Sequence, residues 1–152
     1  MLLFLAFLIG IIAGLRALTA PAAVAWGAAL GWFDVSQTPL SFMGYRWTPW
    51  IFTLLALVEL VTDQLPSTPS RKVPMQFGAR LIMGALSGAT IGAAGGSMIA
   101  ALAAGILGAV AGTLGGAAAR ARLAGAFQRD PPAAIIEDAV AIVGAILIVA
   151  AV

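Results

Sequence analysis

Apolar residues run along this chain in long blocks, and the segments between them are rich in Gly, Pro, Ser and Thr. Several blocks are long enough to cross the ~30 Å hydrocarbon core of a bilayer as helices. The first runs from about Leu2 to Ala29, carries Arg16 near its middle and is interrupted by Pro21. A proline there kinks or breaks a helix, so this block is either one tilted, kinked helix or a helix followed by a half-helix. Gly31 to Trp47 reads as a loop, with Pro39 and Gly44 as breakers. The second block begins at Thr48-Pro49, a cap followed by proline in the first turn, and stops at Pro66. The third covers about Gln76 to Ala94 and the fourth about Met98 to Ala119. A basic loop from Arg120 to Arg129 leads to Asp130-Pro131-Pro132, again a cap with proline, and the fifth block runs on to Val152. The pattern therefore predicts about five spans, with four or six if the first block splits or the third and fourth are re-entrant.

Composition agrees with the pattern. The 152 residues are 62% hydrophobic and 9% charged, with mean hydropathy +1.06, which fits a single all-α integral membrane domain over residues 1–152. Met1 to Ala13 lacks the positive start of a signal peptide, so an uncleaved first helix is expected. The absence of Cys and His excludes disulfides, thiolate chemistry, the usual zinc sites and histidine acid–base catalysis. No cofactor is expected. The net charge of +2 bears on orientation rather than nucleic acid, because no basic face with interleaved aromatics exists. Trp26, Trp32, Tyr45, Trp47 and Trp50 gather in and around the first loop, which suits a membrane interface. The positive-inside rule puts Arg71, Lys72, Arg80, Arg120, Arg122 and Arg129 on the cytoplasmic side of a cell (inner) membrane, with the N-terminus inside and the C-terminus outside.

Glycine recurs every four residues at 84, 88, 92 and 96, at 108, 112 and 116, and at 10 and 14. Such faces let helices approach closely, either within the bundle or between copies in a homo-oligomer. The Gly10–Gly14 and Gly108–Gly112 stretches each precede a helix bearing an acidic pair, the arrangement of an inverted repeat with blocks one and four antiparallel.

The charges carry the chemistry. Glu59 and Asp63 share one face of block two, whereas adjacent Glu137 and Asp138 point ~100° apart. An ionisable group at the centre of a membrane helix costs at least ~2.5 kcal/mol, so it has a partner or a task. In one reading these carboxylates pair with Arg16 and Arg80 and lock the bundle. In another they line a polar cavity that binds a cation or carries protons, oxygen ligands suiting hard cations such as Mg²⁺. A metal-assisted enzyme is the third, without a visible nucleophile–base pair or phosphate loop.

IAGLRALTAPAAVAWGAALGW, VELVTDQLP and PPAAIIEDAVAIVGAI resemble, in that order, the Gly-Leu-Arg, Glu-x-x-x-Asp-Lys-x-Pro and Pro-then-Glu-Asp segments of the bacterial domain-of-unknown-function 4126 family. The resemblance implies a small multi-span inner-membrane protein whose pattern falls on Gly14, Arg16, Glu59, Asp63, Pro66, Glu137 and Asp138. Gln64 stands where the family often has Lys. The expected function is a small transporter or channel-like protein for a cation or small solute, its site built from Glu59, Asp63, Glu137 and Asp138 with Arg16 and Arg80. The alternative is a structural membrane protein.

Overall fold

A computed structural model describes residues 1–65, 70 and 72–152. The described residues form six α-helices and one 3-10 turn: α1 (Leu2–Leu15), α2 (Thr19–Ala29), the turn Ser41–Gly44, α3 (Thr48–Thr62), α4 (Pro74–Ala93), α5 (Met98–Phe127) and α6 (Asp130–Ala150). The expected stop at Pro66 and the basic Arg71 lie outside the described residues.

The first block is two helices. Its break is at Arg16–Leu18, a turn earlier than Pro21, with Arg16 extended at φ −140° and ψ 110°. Pro21 instead occupies the first turn of α2, where the missing N–H leaves no hydrogen bond unmade. At this break the chain reverses. Arg16 meets Asp138 early in α6, Gly144 packs on Ile12, and Gly27 near the end of α2 packs on Val149 near the end of α6. So α6 runs against α1, and α2 runs with α6. The pair α1–α2 is a helical hairpin with its tip at Arg16–Leu18.

The remaining helices alternate in direction. Trp26 Nε1 donates to Thr53 Oγ1 at 2.9 Å, while the tip lies beside Glu59, so α3 runs against α2. Arg80 reaches the end of α1 and Gly95 packs on Leu2, so α4 also runs against α1. Gly84 faces Ala109 and Gly92 faces Ala101, so α5 runs against α4 and therefore with α1. Blocks one and four are thus not inverted copies: α1 and α5 are parallel, and their glycine faces pack on each other. With six alternating helices, both chain ends lie at the same end of the bundle, opposite the hairpin tip. The expectation of ends on opposite sides fails because α2 folds back.

Glycine makes the core of this arrangement. A Cβ added at Gly10 or Gly88 would strike backbone of α5, one at Gly105 the Gly84 carbonyl, and one at Gly108 or Gly112 backbone of α1. Backbones of α1, α4 and α5 therefore touch, the close approach that only small residues permit. These faces are consumed inside one chain. The tight α4–α5 connection needs Gly96 at φ +72°, a left-handed conformation.

Among the described residues two helices, α5 and α6, are long and apolar enough to cross a membrane; α1 and α3 are apolar but shorter. Block four runs on to Phe127 because Ala119–Phe127 holds no proline, and its one glycine, Gly125, falls in the last turn before Gln128 turns left-handed at φ 57°. Thr48 does not cap α3; its hydroxyl donates to the Phe42 carbonyl at 2.6 Å. Asp130 likewise is no cap but an ion-pair partner of Arg120. Large apolar side chains face outward along whole helices, among them Ile51, Leu54, Leu57 and Val61 on α3 and Val140, Val143 and Leu147 on α6.

Candidate functional site

A helix that breaks inside a bundle exposes carbonyls at one cut end and N–H groups at the other, and these need partners. Here charged side chains supply them. Arg80 Nη1 donates to the carbonyls of Gly14 at 2.9 Å and Leu15 at 2.8 Å, closing the C-terminus of α1. Thr113 Oγ1 adds a 3.4 Å contact to the Gly14 carbonyl. On the other side of the tip, the two oxygens of Glu59 accept the N–H of Ala17 at 2.8 Å and of Leu18 at 2.9 Å. A cation thus sits at the negative end of one helix dipole and an anion at the positive end of the next.

Arg16 turns outward from the tip yet is fully buried. It bonds Asp63 of α3 through Nη1 and donates from Nε to Asp138 of α6 at 2.6 Å. Its Nη2 lies against the same Asp138 oxygen as an ion-pair contact, off hydrogen-bond geometry. Arg80 Nη2 stands 4.0 Å from both Glu59 and Asp63, tying α4 into the layer. Removing Arg16 would take from Asp138 its arginine partner and leave Asp63 with only Arg80 at 4.0 Å, the costly case for a buried charge.

Arg16, near the middle of the first apolar block, would sit deeper than the charges near the helix ends if that block were one continuous helix. The reversal of α2 brings it into their layer instead. Adjacent Glu137 and Asp138 go to different arginines: Asp138 to Arg16, and Glu137 to Arg120 at 3.4 Å. Arg120, read from sequence as part of a basic loop, is a member of this layer and also holds Asp130 at 2.7 Å. The signal for it was the unbroken run of helix formers from Ala117 to Leu123, which continues α5 past the expected end. Gln64 Nε2 donates to Asp138 at 3.4 Å. Among the described residues, no three acidic side chains stand close enough to share a metal ion. The carboxylates are distributed onto arginines and backbone rather than converging. At the far end of the bundle, exposed Asp34 accepts the Ser36 N–H at 2.8 Å, which holds its carboxyl below the usual carboxylate range.

A cleft of ≈ 420 Å³ opens between α3 and α4. Leu18, Leu55, Val58, Ala79 and Met83 wall it, and Glu59 and Asp63 line it on the α3 side. A smaller recess of ≈ 160 Å³ lies between α5 and α6 beside Arg120 and Glu137.

The family model described as "Domain of unknown function (DUF4126)" matches residues 3–151. The chain belongs to that family. Comparison with curated proteins and with solved structures found no match. In this DUF4126 chain the three segments that carry the family resemblance, far apart in sequence, meet at one place. Gly14 and Arg16 form the tip, Glu59 and Asp63 cap and pair it from α3, and Asp138 pairs it from α6, with Glu137 beside it on Arg120. Pro66 lies outside the described residues.

Proposed function

We propose that this DUF4126 chain is a multi-pass protein of the cell membrane that moves a cation or small solute past the α1–α2 tip. The observation that supports it is the broken helix at the tip. α1 has 14 residues, ~21 Å at 1.5 Å per residue, too short for a ~30 Å core. Beyond the tip α5 continues from Thr113 to Phe127, another ~21 Å. The hairpin is therefore read as re-entrant, with α5 and α6 the helices long and apolar enough to cross. Its cut ends lie within the hydrocarbon depth, where irregular backbone is tolerated only in protein or against a cavity. Transporters place ion and substrate sites at such discontinuous helices. Here Glu59 and Arg80 occupy the two dipole ends that a solute's charges would otherwise meet.

The basic residues Lys72, Arg120, Arg122 and Arg129 are all at the tip end, which the positive-inside rule makes cytoplasmic. Both chain ends then face outward, beside the aromatic loop. Since the carboxylates do not converge, the transported charge is a monovalent one or a proton rather than a caged divalent ion.

A second reading is favoured by one specific feature: each acidic side chain of the layer has an arginine or backbone N–H partner, as a purely structural lock requires. Proteoliposomes loaded with a pH-sensitive or Na⁺/K⁺-sensitive dye separate the two. Transport predicts ion-gradient-driven flux above that of empty vesicles, abolished in Glu59→Gln protein that still elutes as a folded species. Wild-type vesicles that remain as tight as empty ones would leave the lock reading standing.

A further inference from the structure

The cleft between α3 and α4 has features that the charge network alone does not explain. Its walls are apolar, from Leu18 at the tip to Leu55, Val58, Ala79 and Met83, and its volume of ≈ 420 Å³ falls in the range of small-molecule sites. Its polar groups are concentrated: the carboxylates of Glu59 and Asp63, with Thr62 and Gln76 beside them. Leu55 and Val58 are 42% and 51% exposed on the outward face of α3, so the cleft opens sideways, toward the apolar surroundings of the helices rather than toward either end. An inorganic ion entering along such walls would lose its hydration shell without replacement ligands. A carbon chain ending in an ammonium would bury its tail on the walls and present N–H donors to carboxylate oxygens, each of which has a second lone pair to offer.

Resting on the reading of this layer as a working site, we infer that the α3–α4 cleft binds a lipophilic monovalent amine, taken up laterally from the bilayer, with its ammonium at Glu59 and Asp63. The occupant is defined by charge complementarity at the acidic side of the cleft and by apolar complementarity along the rest.

The test uses the full chain in nanodiscs of zwitterionic phosphatidylcholine, with radiolabelled decylammonium as probe and decanol as its neutral isostere. Empty nanodiscs are subtracted. The expected result is saturable decylammonium binding in wild type, no saturable decanol binding, and affinity at least about tenfold weaker in Ala79→Trp. Ala79 lies exposed on the cleft wall, so a Trp there occupies the space while every charged side chain of the layer is kept. Leu55→Trp, on the facing wall, provides the same block should the first variant fail to fold. Decylammonium binding equal in wild type and both blocked variants, equal saturable binding of decanol, or no binding above empty nanodiscs would each overturn the inference. Failure here is distinct from failure of the transport reading: ion flux into vesicles that persists without amine binding removes only the cleft's ligand, whereas absent flux and absent binding remove both.

Discussion

The two sides of the charge layer are built by opposite means. On one side α1, α4 and α5 are held backbone to backbone, with glycines at 10, 84, 88, 105, 108 and 112 leaving no room for a single methyl group. On the other side α3 packs chiefly on α2 and the 3-10 turn, shows lipid-type side chains over most of its length, and leaves a cleft against α4. Backbone contact gives a wall that cannot adjust, because no rotamer change can make room where a carbonyl faces a glycine Cα. Side-chain contact across a cleft gives a wall that can. Arg16 is fixed in the rigid side and reaches into the loose one, so any movement of α3 is felt as a change in its pairing with Asp63.

The contrast can be broken most severely at Arg16 itself. Arg16→Met should destabilise by about 3–5 kcal/mol, because Asp138 loses its arginine and Asp63 keeps only Arg80 at 4.0 Å. Size-exclusion profiles in mild detergent would register this as loss of the monodisperse peak; a variant as stable as wild type would show that the layer is solvated. Next comes the rigid wall. Gly105→Val should cost about 1–3 kcal/mol or more through overpacking against Gly84 and Gly88, read as a lowered melting temperature. Leu57→Ala on the outward face of α3, 55% exposed, should leave the midpoint nearly unchanged. Equal sensitivity at the two positions would erase the distinction between the walls. A smaller effect of opposite sign sharpens it: at Gly115, inside α5 with open space around its Cβ position, alanine should stabilise by about 0.5–1 kcal/mol. Smallest is Gln64→Lys, which puts a cation near Asp138 on an exposed contact and should add about 0.2–1 kcal/mol, declining with added salt.

Helix content and most helix limits were legible from the sequence, because proline, glycine and long apolar blocks are local signals. The location of the break was not. Pro21 is the visible breaker, but a proline in a first turn is harmless, and what opens the chain at Ala17 and Leu18 is a carboxylate from Glu59, about forty positions away. The reversal of α2 was illegible for the same reason: direction depends on which helices receive it, not on its own residues. That Glu59, Asp63, Glu137 and Asp138 would meet Arg16 and Arg80 could be anticipated, since charges in apolar helices seek one another, whereas the place of Arg16 in their layer depends on the reversal of α2. Arg120 was missed because a basic stretch between two apolar blocks resembles a loop, although Ala119–Phe127 holds no proline and its one glycine falls in the last turn.

The glycine contact between α1 and α5 also sets a schedule for biosynthesis. Gly10 must wait for Gly105 to be made, and α1 cannot seal its own C-terminus before Arg80 arrives. At ~5–20 residues per second of translation, the newborn hairpin spends roughly 5–20 s without its partners. During that interval the hairpin lacks the surfaces it packs on, so a segment made before its partners is among the last to reach its native place.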